Sequence, residues 1–283
     1  MFELALDTEE KPREVGVIVG EAPDSHWREI ASEQLLIIET EEGDITVALS
    51  SVLAQDHIKQ LRTLARENYY EGLSFYRVIE GFVAQGGDHQ GTQDKGSEKS
   101  SLAAEFEEPL PEGATLTPFG YADHYAPEAG YMESIPAGRD PGTNTAWLAH
   151  CTGALAFGRE VARDTASTEF YITLQPQRYL DRNLTVAGRV IDGMGIAQAA
   201  PRGVIDNDPE TDDFPDRLMI KGMTFVADMP EDDRPRWRVL DDQSPSFREL
   251  INARAARPSD FFYYRPNHVN LCQMPIPVER ITD

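Results

Sequence analysis

Residues 73–92, Leu-Ser-Phe-Tyr-Arg-Val-Ile-Glu-Gly-Phe-Val-Ala-Gln-Gly-Gly-Asp-His-Gln-Gly-Thr, set an arginine, a phenylalanine and a glutamine among apolar neighbours. The run alternates as two short strands around a turn at Glu80-Gly81. That pattern puts Phe75, Arg77 and Ile79 on one face of the first strand. It puts Val83 and Gln85 on one face of the second, with Phe82 at the turn between them. A guanidinium on a sheet of apolar residues gives up hydration, so something it binds must justify its place. A lone Phe-x-Arg would be an ordinary surface hairpin; the whole run says more.

Other chemistry falls away on inspection. Gly86–Thr92 has the glycines of a phosphate-binding loop but lacks the lysine and the following helix. Asp206–Asp213 lacks the turn glycine and flanking helices of a calcium loop and reads as a solvated acidic loop. The six histidines are scattered without metal-ligand spacing, so no metal is expected, and His57 reads as a surface or satisfied residue. No Ser-His-Asp arrangement can be argued from spacing, because such triads are recognised by geometry.

The elements that would hold the Arg-Phe-Gln hairpin are legible on both sides of it. Leu35–Thr40 and Ile45–Leu49 flank Glu42-Gly43-Asp44 as a hairpin. Leu53, Ile58, Leu61, Leu64 and Ala65 then share a helix face, with Ser51 as candidate cap. Further strands are expected at Gly153–Gly158, Ser167–Leu174, Val186–Ile191 and Ile220–Ala227.

Phe75-Tyr76-Arg77-Val78-Ile79 and Gly81-Phe82-Val83-Ala84-Gln85-Gly86-Gly87-Asp88 resemble the signature of the cyclophilin family of peptidyl-prolyl cis/trans isomerases. Gly153–Gly158, Ser167–Leu174, Tyr179-Leu180-Asp181 and Val186–Met194 resemble further family segments, in order, so the resemblance covers roughly residues 33–228. It implies a mainly β fold: a closed antiparallel barrel of eight strands capped by two helices, its interior filled by side chains. It implies an isomerase that needs no cofactor and acts on proline-containing peptides or unfolded protein clients during folding. Arg77 takes the catalytic role, facing the prolyl nitrogen and carbonyl. Phe82, Val83, Tyr171 and Leu180 form the proline pocket, with Gln85 as a polar positioning residue. Gly158, Glu169, Tyr179 and Leu184 complete the substrate-binding set.

Several of these positions depart from the family pattern. Glu169 stands where the family has glutamine, Tyr171 where it has a phenylalanine, Tyr179 where it has a tryptophan and Leu184 where it has a histidine. The changed rim predicts weak or selective activity, the Tyr171 hydroxyl narrowing or polarising the pocket and the Glu169 carboxylate approaching Arg77. The alternative class is a low-activity cyclophilin-like module that binds peptides or serves as a scaffold.

The chain has 283 residues with 40% hydrophobic content, enough for a substantial core. Its 49 acids against 26 bases give −23, which repels phosphate backbones and argues against nucleic-acid binding. No run is long enough to insert into a membrane, and a monomer is expected. Three regions follow: an acidic segment 1–32, the domain 33–228 with a loop insertion near 106–146, and an extension 229–283 packed on the barrel. Val15–Val19 reads as an edge strand or an apolar anchor. In the extension, Ser246–Ala256 reads as a helix presenting Phe247, Leu250, Ile251 and Ala255. Cys151 and Cys272 are expected to form one disulfide, tying the extension to the barrel. Met1–Asp7 is no signal peptide; a disulfide would favour an exported, periplasmic setting over a cytoplasmic one.

Overall fold

The computed structural model describes residues 12–89, 91, 101–204 and 216–282. Met1–Asp7, the Gln90 and Thr92 part of the glycine loop, and the acidic run Asp206–Asp213 lie outside the described residues. Eight strands build the barrel: β1 (Leu35–Thr40), β2 (Gly43–Leu49), β3 (Ser74–Val78), β4 (Val83–Gly87), β5 (Ala154–Phe157), β6 (Phe170–Thr173), β7 (Val186–Asp192) and β8 (Leu218–Phe225). Around the ring they run β3-β8-β1-β2-β7-β5-β6-β4, each neighbour antiparallel, and β4 pairs back onto β3. Closure leaves no open edge among these eight strands. Leu36, Ile38, Val47, Phe75, Phe157, Phe170 and Phe225 fill the interior, so the barrel is a core and not a ligand cavity.

Four α-helices accompany it among the described residues: α1 (Val15–Gly20), α2 (Gln55–Arg66), α3 (Met194–Ala199) and α4 (Pro245–Ala256). Ile58, Leu61 and Leu64 of α2 and Ala197 of α3 reach the barrel core. Ser51 does not cap α2. The N-cap position is Ala54, which offers no side-chain bond. Carboxylates from about fifty residues downstream take its place. Glu105 accepts from the Asp56 and His57 amides at 3.0 Å each, and Glu108 from the Ala54 amide at 2.7 Å. Negative charge there also complements the helix dipole. His57 is fully buried, with Nδ1 2.5 Å from the same Glu105 carboxylate.

The segment 106–146, expected as a loop, is largely a five-stranded antiparallel sheet. Its strands are Glu108–Pro109, Thr117–Pro118, Glu128–Met132, Ile135–Asp140 and Thr145–Leu148. One face, with Met132, Ile135, Ala137, Ala146 and Leu148, packs on the outside of the barrel at Ala154, Ala156 and Tyr171. The extension likewise does more than lie on the barrel. Phe247 and Leu250 of α4 join Ile18 of α1 and Phe119, Tyr131 and Trp147 of the insertion in a second hydrophobic core. Val15–Val19 is therefore an anchor, in helical form. Ser244 caps α4, its Oγ accepting from the Phe247 amide at 3.2 Å. Trp27–Glu29, Arg236–Leu240 and Val278–Ile281 form a three-stranded sheet. Trp237 and Val239 of that sheet pack against Leu35 and Ala48 of the barrel. Phe261, Tyr263 and Tyr264 stay in solvent.

Cys151 and Cys272 are bonded to each other, with Cα atoms 4.9 Å apart across 121 positions of sequence. The bridge pins the extension to the residues that enter β5. On a loop-entropy argument a closure of this length contributes at most about 4–5 kcal/mol. Replacing both cysteines by serine is expected to lower the guanidinium midpoint clearly, with the parent losing a similar amount under reductant. Equal midpoints for parent and variant would show that the bridge contributes nothing to stability.

Candidate functional site

The β3–β4 hairpin carries the chemistry singled out in the sequence. Gly81, with φ of +66°, makes its turn. A register shift between Ser74 and Arg77 breaks the simple alternation. Phe75 consequently enters the core while Arg77 lies half-buried in a surface groove, so the two do not serve one common face. The shift also lets Tyr76 and Arg77 reach the same partner. Arg77 Nη1 donates to Gln85 Oε1 at 3.1 Å, and Gln85 Nε2 donates to the Tyr76 hydroxyl at 2.5 Å.

A cavity of about 160 Å³ opens over this pair. Arg77, Phe82, Val83, Gln85, Gly158, Tyr171, Leu180 and Leu184 line it, together with Arg159. β6 pairs with β4 in a register that sets Tyr171 opposite Gln85 and Thr173 opposite Val83. The 3₁₀ turn Arg178–Leu180 delivers Leu180 to the far wall. The Arg77 guanidinium stands 5.4 Å from the Phe82 ring centroid, and it has no carboxylate partner among the described residues. Arg159 spans two loops at the rim, bonding the carbonyls of Asn183, Glu160 and Val161.

Glu169 does not meet Arg77. β6 lies beside β4 and not beside β3, so Gln85 stands between the two charges. The Glu169 carboxylate instead accepts from the Tyr76 hydroxyl, and from Gln85 Nε2 at 3.4 Å. A side chain at Gly87, whose φ is +134°, would run into Glu169 Oε1 at 2.6 Å, so the second glycine of Gln-Gly-Gly-Asp is what admits the carboxylate. Burial pushes the Glu169 carboxyl up to about 7, against the bonds from Tyr76 and Gln85. Its Oε1 has no hydrogen-bond partner among the described residues. Burial, then the Glu169 charge, also raises the Tyr76 hydroxyl, which stays a proton donor. When Glu169 is ionised it can only accept, so the relay then has one direction: Tyr76 donates to Glu169, Gln85 donates to Tyr76, and the amide oxygen of Gln85 is left facing Arg77.

The Tyr171 hydroxyl does not polarise the cavity either. It lies 2.9 Å from His150 Nε2, and His150 Nδ1 lies 3.0 Å from Asp181 Oδ1. Because Asp181 only accepts, Nδ1 carries a proton, and the other ring nitrogen, Nε2, takes up the Tyr171 hydroxyl. Asp181 is bonded by Arg178 Nε at 2.5 Å, and Arg178 grips Asp123 of the insertion with both terminal nitrogens, at 2.8 and 3.0 Å. Burial alone would raise the Asp181 carboxyl; the His150 bonds and the Arg178 charge outweigh it and hold it below the usual range.

The family sequence model described as cyclophilin type peptidyl-prolyl cis-trans isomerase/CLD matches residues 35–223, about two thirds of the chain. The chain belongs to the cyclophilin family. Among similar proteins is a probable peptidyl-prolyl cis-trans isomerase of Brucella suis, 26% identical over 174 residues, covering 60% of this chain and 73% of that one. The peptidyl-prolyl cis-trans isomerase ppi1 of Schizosaccharomyces pombe is 30% identical over 161 residues, covering 57% and 81%. The crystal structure of cyclophilin AquaCyp293 from Hirschia baltica matches with a TM-score of 0.72 and 25% identity, over 91% of this chain and 94% of that one. This cyclophilin is accordingly a peptidyl-prolyl cis-trans isomerase.

Of the site residues read from the sequence, Arg77, Phe82, Val83, Gln85, Gly158, Tyr171, Leu180 and Leu184 share one cavity. Glu169 lies beneath it against Gln85, and Tyr179 turns to a neighbouring hollow. The sequence does not single out Tyr76, Arg159 or His150, which the structure brings to the cavity or to the hydrogen bonds beneath it. Tyr76 stands inside the signature run, and its phenol was the available signal; nothing in the spacing of His150 pairs it with Tyr171.

Tyr76→Phe removes the relay's middle member without changing the core volume. It is expected to lower kcat/KM on an Ala-Pro peptide by roughly three- to tenfold, the worth of one buried hydrogen bond, with circular dichroism unchanged. Unaltered kcat/KM would mean that Gln85 is held without it. For Glu169, the folded protein keeps the proton up to about pH 7 whereas a free carboxyl releases it near 4.5. The folded state binds more protons in that window, so stability falls as pH rises through it. Glu169→Gln removes the penalty. It is expected to stabilise by up to about 3 kcal/mol at pH 8 and by little at pH 4.5; a gain independent of pH would contradict the burial argument.

Proposed function

We propose that this cyclophilin accelerates X-Pro rotation in proline-containing peptides and unfolded protein clients, with Arg77 as its catalytic residue. Rotation about a peptide bond is opposed by about 18–20 kcal/mol because the nitrogen lone pair is delocalised into the carbonyl. Both isomers of X-Pro are populated, so only the barrier needs lowering. A twisted amide localises its lone pair on nitrogen, and a guanidinium donor beside that nitrogen favours the twisted state over either planar one.

The observation that carries this reading is the half-buried Arg77 guanidinium. It is held by Gln85 at 3.1 Å without a carboxylate partner among the described residues, at the edge of an apolar cavity. A paired arginine would spend its donors; this one keeps them for a substrate. Phe82, Val83, Tyr171, Leu180 and Leu184 supply the apolar walls for a proline ring. With the Tyr171 hydroxyl taken up by His150 and Glu169 turned to Tyr76, the departures from the family pattern leave the pocket itself apolar and Arg77 uncompeted. Activity on simple peptides follows from that arrangement. The bridge between Cys151 and Cys272 supports an exported, oxidising compartment as the working environment.

Arg77→Ala is expected to lower kcat/KM on an Ala-Pro tetrapeptide by about 10²–10³, the usual loss for one preorganised donor in an electrostatic site. Line-shape or exchange NMR of the peptide reads this directly. Retention of most of the rate would remove Arg77 from the mechanism.

A further inference from the structure

Glu169 does not line the apolar cavity and does not touch Arg77, yet it stands at the inner end of the bonds that hold Arg77. Gln85 Oε1 lies 3.1 Å from Arg77 Nη1, Gln85 Nε2 lies 2.5 Å from the Tyr76 hydroxyl, and that hydroxyl bonds Glu169 Oε2. Arg77 keeps its charge at any working pH. What varies along this line of groups is the proton on Glu169.

An ionised Glu169 accepts from Tyr76 and leaves the Gln85 amide oxygen to hold Arg77. A protonated Glu169 has two places for its hydrogen. Oε1 is buried without a hydrogen-bond partner among the described residues, so a hydrogen there is a buried donor left unmet. On Oε2 the hydrogen is given to the Tyr76 oxygen. The Tyr76 hydroxyl must then donate to Gln85, which turns the amide oxygen inward and the amide NH2 toward Arg77. Two donors now face each other. Arg77 is the member that can leave, because it is half-buried at the groove and water can take its N–H groups, whereas Tyr76 is buried.

We propose that Glu169 is a positioning residue for the rotation, its proton setting the direction of the Tyr76 and Gln85 hydrogen bonds and so whether Gln85 holds Arg77. This rests on the isomerase reading of Arg77 and adds to it a pH dependence around neutrality. Burial lifts the Glu169 carboxyl to about 7 against the bonds from Tyr76 and Gln85, and the charges of Asp88, which follows β4, and Glu160, which follows β5, add to the rise. Asp88 is itself bonded by the Tyr69 hydroxyl at 3.1 Å. The His89 ring lies 4.5 Å from that of Tyr76, and burial lowers its pKa from 6.5, so it gives up its proton at lower pH than Glu169 does.

The test follows kcat and KM on a blocked Ala-Pro tetrapeptide without ionisable side chains, by exchange NMR from pH 5.5 to 8.5 at fixed ionic strength. In the parent, kcat/KM is expected to fall about three- to tenfold toward acid, the worth of one hydrogen bond, along a single ionisation near pH 7 and through kcat. Glu169→Gln is expected to give a flat profile. Tyr76→Phe, which cuts the route between Glu169 and Gln85, is expected to flatten it as well. A flat parent profile would overturn the proposal. So would a profile that survives Glu169→Gln, which would trace it to another group such as His89, or one that survives Tyr76→Phe, which would make it a through-space effect of charge. The nitrogen-15 shifts of the Gln85 side-chain amide and of Arg77 Nε in the free protein read the positioning separately from catalysis. Both are expected to titrate together near pH 7 in the parent and to stay constant in Glu169→Gln. If no peptide is turned over, the isomerase reading fails, while that joint titration would still support the control of Gln85 and Arg77 by Glu169; shifts that do not titrate would overturn it.

Discussion

The pairing of β3 with β4 closes the barrel and also makes the site. Eight strands can end without an edge only if this last pair meets. The register shift inside that pair is what places Tyr76 and Arg77 on one glutamine. Bulged pairing commonly re-aims side chains beside active sites, and here its effect is to take a guanidinium away from the core and leave it half-buried at the surface. The geometry of Tyr76, Gln85 and Arg77 therefore inherits the rigidity of a closed sheet.

The insertion and the extension matter because neither could be stable alone. A few short strands and one twelve-residue helix bury too little apolar surface for an independent fold. Brought together, they share the core around Trp147, Phe247 and Tyr131, and the disulfide fixes that assembly to the barrel. The polar chain from Tyr171 through His150, Asp181 and Arg178 to Asp123 runs between the two bodies. Each buried polar atom in it is bonded, which is the condition under which such networks rigidify a structure. The floor of the cavity beside Arg77 is thus braced from the insertion.

What was legible in the sequence was local and repetitive. Alternation gave the barrel strands, the 3.6-residue spacing gave α2 and α4, and the Phe-Tyr-Arg and Gly-Phe-x-x-Gln-Gly-Gly runs gave the cavity. What was hidden depended on pairing between distant segments. Glu105 and Glu108 cap a helix about fifty residues before them, which no capping pattern near Ser51 could reveal. The insertion looked like a loop because its strands are rich in glycine and proline. Gly138, for one, is required: any side chain there would meet the Trp147 indole at 2.5 Å. The meeting of Glu169 with Arg77 failed because the strand order around the ring, which the sequence does not encode locally, puts Gln85 between them.

The three-stranded sheet outside the barrel has a consequence in time. Trp27 pairs with Leu240, and Arg236–Leu240 in turn with Val278–Ile281. At a synthesis rate of about 5–20 residues per second, the first of these strands emerges from the ribosome about 10–40 s before its partner. The barrel strands are all made by Phe225, so the barrel can close while that early strand still waits. A waiting strand is an aggregation hazard, and this one is only Trp27-Arg28-Glu29, short and two-thirds charged. Its brevity suits a segment that must stay unpaired until the rest of the chain has arrived.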